Sequence, residues 1–244
     1  MATQRTHDTP PQQTDFAERL RAVGAQRYHD KHPFHVAMHA GQLTPDQIRG
    51  WVANRYYYQK NIPIKDAAIL SKLPDREKRR VWIQRILDHD GTLATGGGGI
   101  ERWFALARAV GLTDDEVKSE RLILPGTRFA VDAYVTFART QEWVVSVASS
   151  LTELFAHDLM SARIAVLVDK YPWIDDAGLM YFRTRLSLAP RDAEYALRWV
   201  VDNATTEQAQ DACVRALEFK CDVLWAILDA TQHAYGPSPN RAPA

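Results

Sequence analysis

Apolar residues recur along this chain at helical spacing, and the punctuation between them is that of helix ends. Thr44-Pro45-Asp46-Gln47 combines an N-cap, a proline at the first helical position and a glutamine able to bond back. It opens a helix predicted to run to about Leu73, before Pro74. Asp75 caps a second helix, whose apolar positions Val81, Ile83, Ile86 and Leu87 carry it to Asp90. The stretch from Gly91 to Gly99 breaks the pattern. A short helix from about Ile100 stops at Gly111, and Thr113-Asp114-Asp115-Glu116 is another capping box. Pro125-Gly126 reads as a turn before a long apolar pattern from Phe129 to about Val168, expected as two helices broken near Thr140. Tyr171-Pro172 ends that region, and helices over about 177–187, 191–203 and 205–234 complete the chain. No alternating strand pattern bounded by hairpin turns is found. The sequence therefore predicts an all-α fold. It is a compact bundle of about seven helices in one domain over residues 16–235, with a disordered leader at 1–15 and a disordered tail at 236–244.

Charge and composition narrow the partners. Thirty basic residues balance thirty acidic ones, so no whole-chain field draws in nucleic acid or an anionic membrane. The longest apolar runs, such as Val223 to Leu228, are far below the roughly 20 residues that span a bilayer. The segment MATQRTHDTPPQQTD has no apolar core and does not read as a signal peptide. Cys213 and Cys221 are eight apart in one helical segment, about 12 Å along its axis, and cannot pair with each other there. A reduced, cytoplasmic setting fits best.

Candidate chemistry lies on helix faces. Arg55, Tyr58 and Gln59 sit at i, i+3 and i+4 within WVANRYYYQKN and point the same way, although amphipathic Tyr and Arg on a helix flank would look alike. Arg85 and His89 are one turn apart, and His89 stands just ahead of a glycine break. A helix C-terminus there would raise its pKa, making it a candidate acid or base or simply a capping residue. Tyr134 interrupts an apolar face. Thr152 and Glu153 follow an uncharged run, and Glu153, His157, Met160 and Arg163 fall on one stripe. A carboxylate after so much apolar sequence calls for Arg or His partners from other helices. Tyr181 and Arg185 share a face, and Lys220 is the lone cation among core-type residues in its segment. Together Arg55, Arg85, Arg163, Arg185 and Lys220 bring cationic donors from five helices, which suits a small ligand carrying several carboxylates. The competing reading is a structural ion-pair network. Only Glu153 is acidic among these positions, which argues against full internal neutralisation.

His29, His32, His35 and His39 invite a metal reading, but Pro33 interrupts their spacing and no Glu-x-x-His pair accompanies them. Gly96 to Gly99 lacks the context of a phosphate loop, and neither cysteine has a nearby histidine in sequence to make it a nucleophile.

At these residues the chain resembles the pyrroloquinoline quinone synthase (PqqC) family over about Ala17 to Tyr235. The stretches that carry the resemblance are HPFHVAMHAG, QIRGWVANRYYYQKNIPIKDAAIL, RILDHDG, GGGIERW, LPGTRFAVDAYVTFAR, SSLTELFA, YPWI, FRTRLS and EFKCDVLWAILDA. The resemblance implies a haem-oxygenase-like helical bundle, usually a homodimer, that binds no haem. It also implies an oxidase needing no metal or cofactor. Its substrate would be a partly reduced, fused quinone precursor bearing carboxylates and an amino group. The final step of pyrroloquinoline quinone (PQQ) biosynthesis would close a ring and remove eight electrons with dioxygen as co-substrate, releasing hydrogen peroxide. The matching pocket residues are Tyr28, His29, Arg55, Tyr58, Gln59, Arg85, His89, Tyr134, Thr152, Glu153, Arg163, Tyr181, Arg185 and Lys220. We assign the carboxylate clamp to Arg55, Arg163, Arg185 and Lys220, the general base to His89, and proton donation to Tyr181 and His29. Arg185 would also stabilise a forming superoxide or peroxide anion.

One departure stands out. In the family ELFA is followed by Pro-x-x-His, whereas here His157 replaces the proline and Met160 the pocket histidine. Either His157 partly substitutes for the missing imidazole, or Met160 leaves a weakened oxidase. Two rival functions follow: a metal-dependent oxygenase using the N-terminal histidines, and a non-catalytic carrier of the finished quinone.

Overall fold

The computed structural model describes residues 11–94 and 96–236. Expectations for residues 1–10, 95 and 237–244 lie outside the described residues. Eleven α-helices follow one another: α1 (Pro11–Arg27), α2 (Pro33–His39), α3 (Pro45–Leu70), α4 (Arg76–Asp90), α5 (Gly99–Ala109), α6 (Asp114–Lys118), α7 (Pro125–Thr140), α8 (Trp143–Ala148), α9 (Ala156–Lys170), α10 (Asp176–Asn203) and α11 (Glu207–Tyr235). Short 3₁₀ turns at His29–Lys31 and Leu151–Phe155 join α1 to α2 and α8 to α9. Among the described residues the only β pairing is one bridge between Thr92 and Gly96.

The capping signals act as the sequence implies. Thr44 and Thr113 each form a full capping box, and the Asp75 carboxylate accepts from the backbone N–H of Lys78 at 2.7 Å. α3 is buried on nearly all sides, so it forms the axis of the bundle rather than a surface helix. Its first half joins a core built on Trp51, Trp103 and Phe182, and Ile69 near its end joins a second core around Trp82, Tyr195 and Trp199. Arg55 and Tyr58, between those two stretches of α3, line a cavity.

Four local expectations need correction. The helices expected at 177–187 and 191–203 are one helix, α10, running through Pro190. An interior proline loses one hydrogen bond, but packing of α10 against α9, α5 and α8 holds it continuous. Pro125-Gly126 is the first turn of α7 rather than a turn before it, because proline is well placed at N1, where its missing N–H leaves no gap. The long apolar pattern to Val168 divides into α7, α8, a 3₁₀ turn and α9. Helix α1 starts at Pro11, inside the stretch expected as leader, and puts Phe16, Leu20 and Val23 into the second core.

Candidate active site

Two glycine positions shape the site. Gly91 ends α4 at φ +84°, and a Cβ on Gly98 would stand 2.3 Å from the carbonyl oxygen of His89. The loop can thus fold directly onto the end of α4, which sets the start of α5 beside His89.

A small cavity of about 40 Å³ opens between α3, α4, α9, α10, α11 and the 3₁₀ turns. Of the residues picked out from sequence, Tyr28, His29, Arg55, Tyr58, His89, Thr152, Glu153, Met160, Tyr181 and Arg185 line it. Ile62, Ala156 and Leu224 complete an apolar wall that sequence reasoning missed, because each reads as ordinary core. Gln59 accepts from the Tyr181 hydroxyl at 2.8 Å. Lys220 donates to the Tyr58 hydroxyl at 2.5 Å and lies over the Tyr58 and Tyr134 rings, 4.0 and 3.9 Å from their centroids. Arg163 stands behind His29, reached through His35.

Arg85 lies behind the wall. Its guanidinium faces Asp192 at 3.1 Å, Asp66 at 3.4 Å and Glu153 at 3.4 Å. Burial opposes its charge, but Asp66 and Asp192 outweigh that and hold it above the ordinary arginine value. Glu153 also accepts from Arg185. Burial would raise the Glu153 pKa, yet Arg185, Arg85 and Lys65 hold it below the usual carboxylate range. The expectation that the singled-out cations face little internal neutralisation fails for Arg85 and Arg185. Asp66 and Asp192 supply further charge, so Arg85 is structural and Arg185 reaches the cavity already held by a carboxylate. Lys65 was also missed; its ammonium bonds Asp66 at 2.6 Å and Ser150 at 3.1 Å.

Arg55, Arg163 and Lys220 differ from these. No carboxylate forms an ion pair with any of them among the described residues. Burial, then Arg55, lowers the Arg163 pKa to about 10. Burial, then Arg55 and Lys65, pulls Lys220 well below the ordinary lysine value. Arg55 and Arg163 thus hold positive charge that no carboxylate pairs among the described residues, and burial favours the neutral amine of Lys220.

His89 is corrected as well. Its pKa falls to about 4 instead of rising, because burial and then Arg185 outweigh any help from the helix end. Its Nδ1 lies 3.2 Å from the carbonyl oxygen of Arg85, an acceptor, so Nδ1 carries the proton. Nε2 is left as a buried lone pair with no hydrogen-bond partner. It is unprotonated at neutral pH, and a weaker base than an exposed imidazole.

His157 does not reach the cavity. Its ring is half exposed and lies 3.2 Å from Asp158, whereas Met160 faces inward. The N-terminal histidines also diverge: His32 pairs with Asp229 at 3.1 Å while His29 meets His35. Among the described residues no group of three His, Cys, Asp or Glu side chains is arranged to hold a metal ion.

Similarity to known proteins places the chain in a family and a fold. Residues 17–230 match the TENA/THI-4/PQQC family, and the chain belongs to that family. Within it, the chain is 54% identical over 226 residues to a pyrroloquinoline-quinone synthase of Pseudomonas putida, covering 93% of this chain and 89% of that protein. It is 55% identical over 228 residues to the pyrroloquinoline-quinone synthase of Rhizobium meliloti, covering 93% and 88% of the two chains. A TenA homologue from Pseudomonas syringae superposes with a TM-score of 0.73 at 14% identity, over 96% of this chain and 100% of that one. A haem-oxygenase-like domain from Shewanella denitrificans superposes with a TM-score of 0.69 at 14% identity, over 96% and 98%. These structures show the fold alone.

Proposed function

We propose that this chain is a pyrroloquinoline-quinone synthase, a cofactorless oxidase that completes PQQ by ring closure and eight-electron oxidation of a polycarboxylate precursor. The observation that carries the reading is Arg55 on the cavity wall, with Arg163 behind His29 and Lys220 behind Tyr58, none of them paired with a carboxylate among the described residues. Substrate carboxylates supply the missing negative charge. The identity to named synthases at 54–55% supports the same reaction.

Oxidation by dioxygen without a cofactor needs an electron-rich substrate, formed by removing a proton. His89 Nε2 takes that proton, since its lone pair is buried and its ring is neutral at pH 7. Tyr181 stays protonated because burial raises its pKa, so its hydroxyl can serve as a donor. Arg185, fixed by Glu153, stabilises the reduced oxygen anion as it forms. Each two-electron step sends an electron pair and two protons to dioxygen, giving peroxide.

The reading extends to one helical domain working as a homodimer in the cytoplasm. Both cysteines are free and buried, as suits a reducing compartment, and among the described residues no helix is long and apolar enough to cross a membrane.

Incubation with the reduced precursor in air tests the assignment, following peroxide release and quinone absorbance. Wild type turns over, and His89→Ala stalls before the first oxidation. Tight binding of the finished quinone with no oxygen uptake would instead make the protein a carrier.

A further inference from the structure

His35 lies in α2, buried and outside the cavity lining, and its Nδ1 meets a partner of fixed sense. Nδ1 is 2.9 Å from the carbonyl oxygen of His29, which can only accept, so Nδ1 bears the proton. One Nη of Arg163 lies 3.2 Å from Nε2 and 3.4 Å from Nδ1, so the guanidinium stands over the ring face and assigns neither proton. In the neutral ring the His29 carbonyl alone puts the proton on Nδ1. The same N–H faces His29 Nδ1 at 3.0 Å, so that nitrogen must present a lone pair. His29 is then left with its proton on Nε2.

We propose that His35, set by the His29 carbonyl, is a positioning residue that fixes His29 as a neutral Nε2–H donor to an acceptor oxygen of the bound substrate. The inference rests on the reaction proposed above only for the identity of that oxygen. His29 is itself part of the cavity wall. A neutral imidazole polarises a carbonyl or carboxylate oxygen while returning to the same state after each turnover. An imidazolium would add a further positive charge beside Arg55 and Arg163 and risk losing its proton to the substrate anion.

The surroundings keep both rings uncharged. Burial pushes the His35 pKa well down, and Arg163 from α9, His29 from the 3₁₀ turn and Arg55 from α3 act in the same direction. His29 is lowered by burial, then by Arg55, Arg163 and Lys220. On α2 itself, His39 stacks 6.5 Å from the His35 ring and is also lowered, by burial and then Arg163.

The test is long-range proton–nitrogen NMR of protein carrying ¹⁵N-labelled histidine, with the His29 signals assigned by their loss in His29→Gln. In wild type, His29 should show a protonated Nε2 and a bare Nδ1, unchanged between pH 6 and 8. His35→Phe keeps the ring shape but removes both nitrogens. It should let the His29 tautomers mix and lower kcat about ten-fold or more, with KM moving less than about three-fold. His35→Asn returns an N–H near the Nδ1 position and should recover most of the loss. A wild-type proton on His29 Nδ1 overturns the proposal. So does a His29 tautomer that survives His35→Phe, or an equal loss in the Phe and Asn variants, which would mark packing alone. Should His35→Phe fail to fold, the wild-type spectrum still decides. Because that spectrum needs no turnover, its failure is distinct from failure of the proposed oxidation.

Discussion

Met160 and His157 are three residues apart in α9, which turns them about 60° from each other around the helix axis. That rotation sends one into the cavity and the other into solvent. His157→Ala should therefore leave oxygen consumption within about two-fold of wild type, while Met160→His, which places an imidazole at the wall, should raise it several-fold. Equal effects of the two changes would show that the wall at Met160 is not rate-determining. The acids behind the wall support a different expectation. Asp192 is 1% exposed and meets Arg85 and Arg191. Asp192→Ala leaves the Arg85 charge short of a partner, and should cost about 3–5 kcal/mol in urea unfolding. The cations of this site are visible in the sequence, because Arg and Lys stand out on apolar faces. Their acidic partners are not: Asp66 hides in an apolar run beside Lys65, and Asp192 follows a proline that reads as a break. Which cations remain unpaired depends on distances between helices, and no spacing along one helix encodes that.

At the scale of elements, the capping residues of α3, α4 and α6 were legible because each cap is a local hydrogen bond within four residues. Pro190 and Pro125 were misread because their effect depends on what the helix packs against. Helix α1 escaped notice for the same reason, since only contact with the second core shows its value. The packing of α1 on the turn before α9 also carries a prediction. A Cβ on Gly24 would stand 2.2 Å from the Phe155 ring, and Phe155 packs on Tyr28 with ring centroids 5.3 Å apart. Gly24→Ala should destabilise by about 1–3 kcal/mol. It should also raise KM for the precursor, because displacing Phe155 frees Tyr28 at the cavity wall. A KM shift without loss of melting temperature would place the effect in the wall alone.

The whole molecule gathers several buried imidazoles whose pKa values lie below the ordinary histidine range, with His89 at about 4. The unfolded chain holds more protons than the folded one between those values and about 6.5, so stability rises with pH across that window. It is complete above about pH 6.5 and is lost as pH falls through the folded values. His89 alone accounts for on the order of 3 kcal/mol. The melting temperature should drop steeply from pH 7 to pH 4.5, and His89→Gln should flatten part of that slope. A flat profile in wild type would mean that these rings are hydrated. Arg55 and Arg163, without acidic partners among the described residues, have a consequence outside catalysis. A bound polycarboxylate acts as the absent counter-ion of the fold, and a ligand at a hundred times its Kd adds about 2.7 kcal/mol of stability. In a cell, proteases sample the unfolded fraction, so copies that meet substrate outlast those that do not. Limited proteolysis with and without the precursor should therefore show slower digestion of the liganded protein.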